Sequence, residues 1–558
     1  MASKTLFKSI RGLLPPPTTA VNEAGGTAYV FPPKHALAQY AATGCLGHTF
    51  YASAEQQLAT VLDLCKQVEP EFVARAALYA RQRGYMKDLP AVLCAVLAAT
   101  PNAGGLLAEV FDRVVDDARM LRNFVQVVRS GVTGRKSLGT LPKRLVLSWI
   151  ERRTDDQLFR ASVGNDPSLA DVIKMVHPKP ATASRAALFG YLIGRDPVAA
   201  KSGDANAAAA PGASAAPEAP AAKSARGTWS ANDLPPLVQQ FEAFKRGEAA
   251  EAPDVPFQML TGLPLKPADW ARIARHAPWQ MTRMNLNTFA RHGVFADPEL
   301  TALVAARLRD PGLIGKAKVF PYQLMVAYTQ CDAKVPAAVR EALQDAMEVA
   351  IANVPKVPGG VWVFPDVSGS MHSPVTGHRP GATTAVRCID VAALVAAAFV
   401  RQNPGTADVL PFESDVVRGV RLNPRDTVLT NAAKLAALPA GGTNCSAPLR
   451  ELNRRHAAGD LVVYVSDNES WVDSTRHGLF GGGPTETMKQ WAAYKARNPN
   501  AKLVCIDLQP YGSTQAAERD DVLNVGGFSD RVFDVVAEFA AGTLHPDHWV
   551  GVIGGVTL

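Results

Sequence analysis

An acid and two hydroxyls leave one apolar run together: Val361-Trp-Val-Phe-Pro is followed by Asp366, Val367, Ser368, Gly369 and Ser370. This Asp-x-Ser-x-Ser grouping offers oxygen ligands to a hard divalent cation and leaves part of the coordination shell open. Oxygen-only ligation with few charges suits Mg²⁺, which demands near-octahedral geometry and keeps several waters. Two later segments fit the same site, Gly441-Gly-Thr443 and Val463-Tyr-Val-Ser-Asp467. Thr443 and Asp467 would each bring one more oxygen to a single sheet edge. Taken alone, Asp-x-Ser-x-Ser also reads as a turn whose Ser and Asp cap helices. His372, Glu469 and Asp473 lie near enough in sequence to act as bases. No nucleophile with an adjacent base and orienting group accompanies them, so a non-enzymatic protein is expected.

A second set of residues suits a polyanion. Gly134 is followed by Arg135 and Lys136, and Lys143 and Arg144 lead into Leu-Val-Leu-Ser-Trp149. Shortly after, Ser168-Leu-Ala-Asp171-Val-Ile-Lys174-Met-Val-His177-Pro-Lys179-Pro180 reads as a helix ending in a basic turn. Such cations neutralise phosphates, and backbone amides at a helix start add to them. A neutral imidazole such as His177 can stack on a base or donate to a phosphate oxygen. The bland alternatives are solvated helix faces for the cations and a structural turn for His177. The charge is unevenly placed. The net +7 divides into 18 basic and 20 acidic residues from Lys356 onward and 40 and 31 before it. The first part thus carries +9 and the metal-type part −2, an imbalance that points to a polyanion on the first.

The elements that must position these residues change character near Asn353-Val-Pro-Lys-Val-Pro-Gly-Gly360. Before it, apolar residues recur at i, i+3, i+4 and i+7, as in Leu58, Val61, Leu62 and Cys65. Leu89, Val92, Leu93 and Val96 repeat the stripe, as do Phe111, Val114, Val115 and Ala118. Short amphipathic helices without strands predict stacked helix pairs of the HEAT kind. Residues 197–227, almost entirely Ala, Pro, Gly and Ser, bury too little to offset ordering entropy and are expected to form a disordered insertion. After residue 356, strands are expected at Val361–Phe364, Val409–Phe412, Leu461–Val465 and Leu503–Leu508. Helices are expected at Val391–Arg401, Met488–Arg497 and Val532–Phe539. That alternation predicts a doubly wound sheet with ligands at the carboxyl ends of its strands. Domains of 1–355 and 356–558 follow.

At 558 residues the chain exceeds one core. No apolar stretch is long enough to span a bilayer, and the basic N-terminus lacks a signal core, so a cytoplasmic protein is expected. Cys45, Cys65, Cys94, Cys331, Cys388, Cys445 and Cys505 form no Cys-x-x-Cys pair and read as buried free thiols.

The Asp366–Ser370 segment, the Gly441–Thr443 loop and Asp467 together resemble the metal-ion-dependent adhesion site of von Willebrand factor A domains. The resemblance implies Ser368, Ser370 and Thr443 as direct ligands, with Asp366 and Asp467 contributing directly or through water. Over nearly the whole chain a wider set resembles the Ro autoantigen family. It comprises Gly134-Arg135, Lys143-Arg144 and Trp149, and His177-Pro-Lys179-Pro180. Pro439 to Ser446, Ser466 to Glu469, Gly527-Phe528 and Asp534-Val-Val536 complete it. The implied fold is mostly α: a ring of HEAT-like helical repeats (the TROVE module) closed by a C-terminal α/β von Willebrand factor A domain. The implied function is binding of small non-coding Y-class RNA on the outer basic surface and of single-stranded 3′ ends of misfolded RNA in the central hole. A role in RNA quality control, a 3′ exoribonuclease partner and a monomeric ring are implied as well. His177 matches the family's RNA-contacting histidine, with Lys143, Arg144, Lys174 and Lys179 in the basic surface. Two departures stand out: residues 197–227 replace a compact helical connection, and Asn444 stands where an acid is common. The rival expectation is a protein adaptor that grips a partner's acidic side chain through the metal.

Overall fold

Capping chemistry sets where the helices begin. In the computed structural model, Ser53, Asp117, Thr154, Ser168 and Thr182 each accept a hydrogen bond from a backbone amide of the first helical turn. Each thereby satisfies a donor that the helix itself leaves without a partner. The structure describes residues 17–22, 25–43, 46, 53–165, 167–195, 229–249, 251–317, 319, 321–351, 354–375, 386–470, 484–509, 513–527, 531–544 and 547–558. The predicted insertion at 197–227 lies outside the described residues, as do Cys45, Asp473 and Phe528.

The first two apolar stripes fall on the helices Ala54–Lys66 and Leu89–Ala99. The third differs. Its helix stops at Val114, and Asp117, whose Oδ1 accepts from the Met120 amide at 2.8 Å, starts a new one over Ala118–Ser130. Phe111 and Val114 are therefore buried from one helix and Ala118 opens the next. A cap overrode the periodicity.

The described strands are β1 (Ala20–Val21), β2 (Thr27–Val30), β3 (Val361–Pro365), β4 (Ala407–Val409), β5 (Leu461–Ser466), β6 (Lys502–Asp507), β7 (Ser513–Thr514) and β8 (Val522–Gly526). Five of them form a parallel sheet in the order β4-β3-β5-β6-β8. The helices Cys388–Gln402, Glu486–Arg497 and Arg531–Ala541 fall where the sequence places them. β4 is shorter and earlier than Val409–Phe412, because Phe412 forms only isolated bridges, to Asp366 and to Val416. Strand β8 was not expected. Pro365 sits at the end of β3. Its carbonyl accepts from the Phe412 amide (3.2 Å), and the next amide, Asp366, donates to Val465 (3.0 Å), so the ladder runs on to the site.

The chain divides into two compact units, residues 1–110 with 270–558, and residues 111–269. This division differs from the expected one at 355/356, because the N-terminal residues pack on the sheet. β2 pairs antiparallel with β7. Gln39, on the helix Pro33–Thr43, donates from Nε2 to the Asn524 carbonyl of β8 at 2.7 Å and accepts from the Gly526 amide. Trp549 donates to the same Asn524 carbonyl at 3.2 Å. An edge strand whose carbonyls are occupied in this way is a poor template for strand addition.

The second unit has its own core. Phe111 meets Phe124 edge-on with ring centroids 5.1 Å apart, and Phe159 meets Phe241 at 5.5 Å. Trp149 is fully buried on the helix Thr140–Glu151 and donates to the Val115 carbonyl at 2.7 Å. The Arg153 guanidinium lies over the Trp149 ring at 3.4 Å.

Candidate functional site

Strand order decides where the first candidate site lies. β3 is flanked by β4 and β5, so the chain leaves the sheet in opposite directions after β3 and after β5. The carboxyl ends of two such strands open a crevice at the switch point. Asp366 follows β3 directly, and Asp467 follows β5 directly.

The sequence-predicted residues meet there. Asp366 Oδ1 accepts from the Ser368 amide at 2.8 Å, and Oδ2 accepts from the Ser466 hydroxyl at 2.6 Å. The Ser368 and Ser370 hydroxyls lie 3.2 Å apart, and the Glu469 amide donates to Asp467 Oδ1 at 3.3 Å. The Gly369 amide donates to the Gly441 carbonyl at 2.9 Å, which draws the third segment against the first. Thr443, two residues on, is buried in that loop. Asp366, Ser368, Ser370, Thr443 and Asp467 are all at most 7% exposed, so no bulk water screens the two carboxylates. Burial, reinforced by the charge of Asp467, pushes the Asp366 carboxyl up, and burial pushes Asp467 up as well. Among the described residues no basic side chain forms an ion pair with either acid, and Asp467 Oδ2 is buried without a hydrogen-bond partner.

Two neighbouring acids, an orphan carboxylate oxygen and three hydroxyls make a donor set that fits a small hard dication. Among the described residues no three His, Cys, Asp or Glu side chains converge, so a thiolate or imidazole centre is not formed there. Sequence reasoning missed Ser466 as part of the cluster, although it immediately precedes Asp467. It also left Asn444 without a role. Asn444 Oδ1 accepts from the Ser446 amide (3.1 Å) and hydroxyl (2.8 Å), while Nδ2 donates to the Ser414 carbonyl (3.0 Å). A carboxylate could not make that last bond. The six described cysteines are free; burial pushes Cys65 and Cys94 up to about 12 and raises Cys445, next to the cluster, well above the usual thiol range.

The cations lie in the second unit. The Ser168–Asp171 capping box starts the helix Leu169–Val176, and His177 ends it in the left-handed region at φ 53°. That conformation, uncommon for a residue with a Cβ, turns the chain into Pro178. Lys174, His177 and Lys179 are exposed. This helix packs on the helix Thr140–Glu151, where Arg144 is exposed and Lys143 half-buried. Consecutive helical positions diverge by about 100°, so these two cannot share one direction. Lys136 is exposed in the preceding loop, whereas Arg135 is half-buried, its guanidinium lying where a side chain at Gly139 would stand. Gly139, at φ 71°, is the one residue type that accepts both demands.

Fold and site together define a largely helical chain carrying a von Willebrand factor A-type sheet with an acid-and-hydroxyl cluster at its switch point. Residues 361–540 match the family model of the Ro60 vWA domain. The RNA-binding protein RO60 of Deinococcus radiodurans is 25% identical over 97% of this chain and 99% of its own length. The crystal structure of the Deinococcus radiodurans RO (RSR) protein superposes with a TM-score of 0.60 at 21% identity, over 92% of this chain and 100% of that one. Over nearly its whole length the chain is thus similar to these Ro proteins.

Proposed function

We propose that this chain is an RNA-binding protein of the Ro kind, which takes up small structured, Y-like non-coding RNA on the cations of its second unit and engages single-stranded 3′ ends of misfolded RNA. On this reading it works in cytoplasmic RNA quality control as a monomeric, non-enzymatic binder that presents RNA to a 3′ exoribonuclease. The observation that carries the reading is the capped helix Leu169–Val176, which delivers Lys174, His177 and Lys179 to solvent beside the helix bearing Lys143 and Arg144. Exposed cations around a backbone turn fit phosphate oxygens, and an exposed imidazole fits an unpaired base. The full-length likeness to a protein named as RNA-binding supports the same reading. Purified protein is expected to carry RNA, seen as an absorbance ratio shifted toward 260 nm that nuclease and high salt abolish. Protein free of nucleic acid at low salt would contradict it.

The orphan Asp467 Oδ2 favours a second, compatible role for the sheet. Asp366, Ser368, Ser370, Thr443 and Asp467 would hold Mg²⁺, directly or through water. When bound, the ion supplies an electrophilic position that an acidic side chain or a phosphate from a partner can fill. The chain's own residues orient that position: Ser466 fixes Asp366, and the Gly369–Gly441 bond fixes the two loops against each other.

A further inference from the structure

Beside the His177 turn the second unit contains a cavity of about 690 Å³, within the range of small-ligand sites. Its floor is apolar. Ile173 comes from the helix Leu169–Val176 and Ile193 from just past the helix Ala183–Leu192, and Phe189 and Trp229 add aromatic surface that is 7% and 6% exposed. Gly190 makes room for this arrangement, since a Cβ there would run into the Trp229 indole. The rim is cationic. Lys174, His177 and Arg195 line it and are exposed, and among the described residues none of the three makes a salt bridge within 4 Å. Arg195 is held in place by its amide, which donates to the Gly190 carbonyl at 2.9 Å just after Gly194 turns the helix end at φ 74°. Among the described residues no acidic one lines the cavity.

An apolar, aromatic floor under a cationic rim matches one unpaired nucleotide, its base on the floor and its phosphate at the rim. Bases without a partner strand are recognised by stacking and apolar contact, and phosphates by cations. We infer that this cavity receives a single flipped-out nucleotide of the bound RNA, so that the second unit reads unpaired bases and not only the charge of the backbone. The inference rests on the RNA-binding reading above and deepens it.

The test uses the full chain and pairs of RNA oligonucleotides identical in sequence and charge. In one member a single unpaired nucleotide is abasic. Wild-type protein is expected to bind the intact RNA on the order of tenfold more tightly than the abasic one. Ala186, which also lines the cavity, offers a second arm. Ala186→Phe fills the space without altering charge, and is expected to erase that difference while leaving fully paired duplex binding within twofold of wild type. Equal binding of intact and abasic RNA by wild type overturns the cavity proposal. It leaves the RNA reading standing as long as both bind. Equal binding would also be the result if only a phosphate, or an acidic peptide in competition, used the rim. Absence of binding to either RNA overturns the RNA reading itself. If Ala186→Phe fails to fold, the abasic comparison on wild type still decides.

Discussion

At the residue scale, the cluster at the sheet's switch point behaves as a set of groups that each need the others. Asp366 and Asp467 are buried, raised in pKa by that burial, and share no cation among the described residues. A dication would remove the mutual repulsion and give Asp467 Oδ2 a partner, so metal should stabilise the native state by mass action. At Mg²⁺ near a hundred times its dissociation constant the expected gain is about 2.7 kcal/mol. Denaturant titrations with and without Mg²⁺ measure it. Asp467→Asn is expected to abolish the gain; an equal gain in both proteins would remove the metal from this site. The thiols provide a second residue-level expectation. Cys65 and Cys94, buried and held at about 12, should react with iodoacetamide only under denaturing conditions. Modification of either peptide in native protein would show that these positions open to solvent.

At the element scale, two helices tie stability to function. Trp149 fastens the Lys143–Arg144 helix to the Val115 turn, and its loss leaves a cavity and an unpaired carbonyl. Trp149→Ala is expected to lower unfolding stability by about 3–5 kcal/mol, read by denaturant midpoint. A change under about 1 kcal/mol would mean the ring is not a core element. On the helix Ala447–Arg454, the bond from Arg454, aided by Arg455, holds the Glu451 carboxyl down at about 2 against an ordinary value of 4.5. A lowered acid stabilises the fold above its unfolded pKa and loses that contribution as pH falls through its folded one. The stability gap between wild type and Glu451→Gln should therefore be full above pH 4.5 and close toward pH 2. A gap that is independent of pH would contradict the ion-pair assignment. These elements also show what a single sequence can reveal. Four strands of the parallel sheet were legible because each carries an apolar run and the Asp366 and Asp467 motifs punctuate two of them. β8 was not, because the buried Asn524 interrupts it; that side chain is satisfied by Thr514, Ala516 and Glu518, contacts that local sequence does not encode. The pairing of β2 with β7 was equally hidden, as it joins Tyr29 to Thr514 through short strands without an apolar signature. Candidate ligands at the strand ends were readable, whereas the supporting bonds from Ser466, Gly441 and Asn444 depend on loops brought together by folding.

At the scale of the whole molecule, charge and chemistry are separated along the chain. The part before Lys356 carries the basic excess, and the sheet that follows is nearly neutral and holds the acids and hydroxyls suited to a cation. This separation supports the proposal that RNA is held mainly by phosphate contacts on Lys143, Arg144 and the His177 turn, with the metal-type cluster serving another contact. The most direct measurement is the affinity of a small structured RNA with a single-stranded tail, titrated from about 50 to about 200 mM salt. Wild type is compared with a variant in which Lys143, Arg144 and His177 are all Ala. Wild-type log K is expected to fall linearly with log salt. The variant is expected to bind at least about tenfold more weakly, with a slope shallower by about 2 and an unchanged circular dichroism spectrum. A folded variant with the affinity and salt slope of wild type would contradict the proposal.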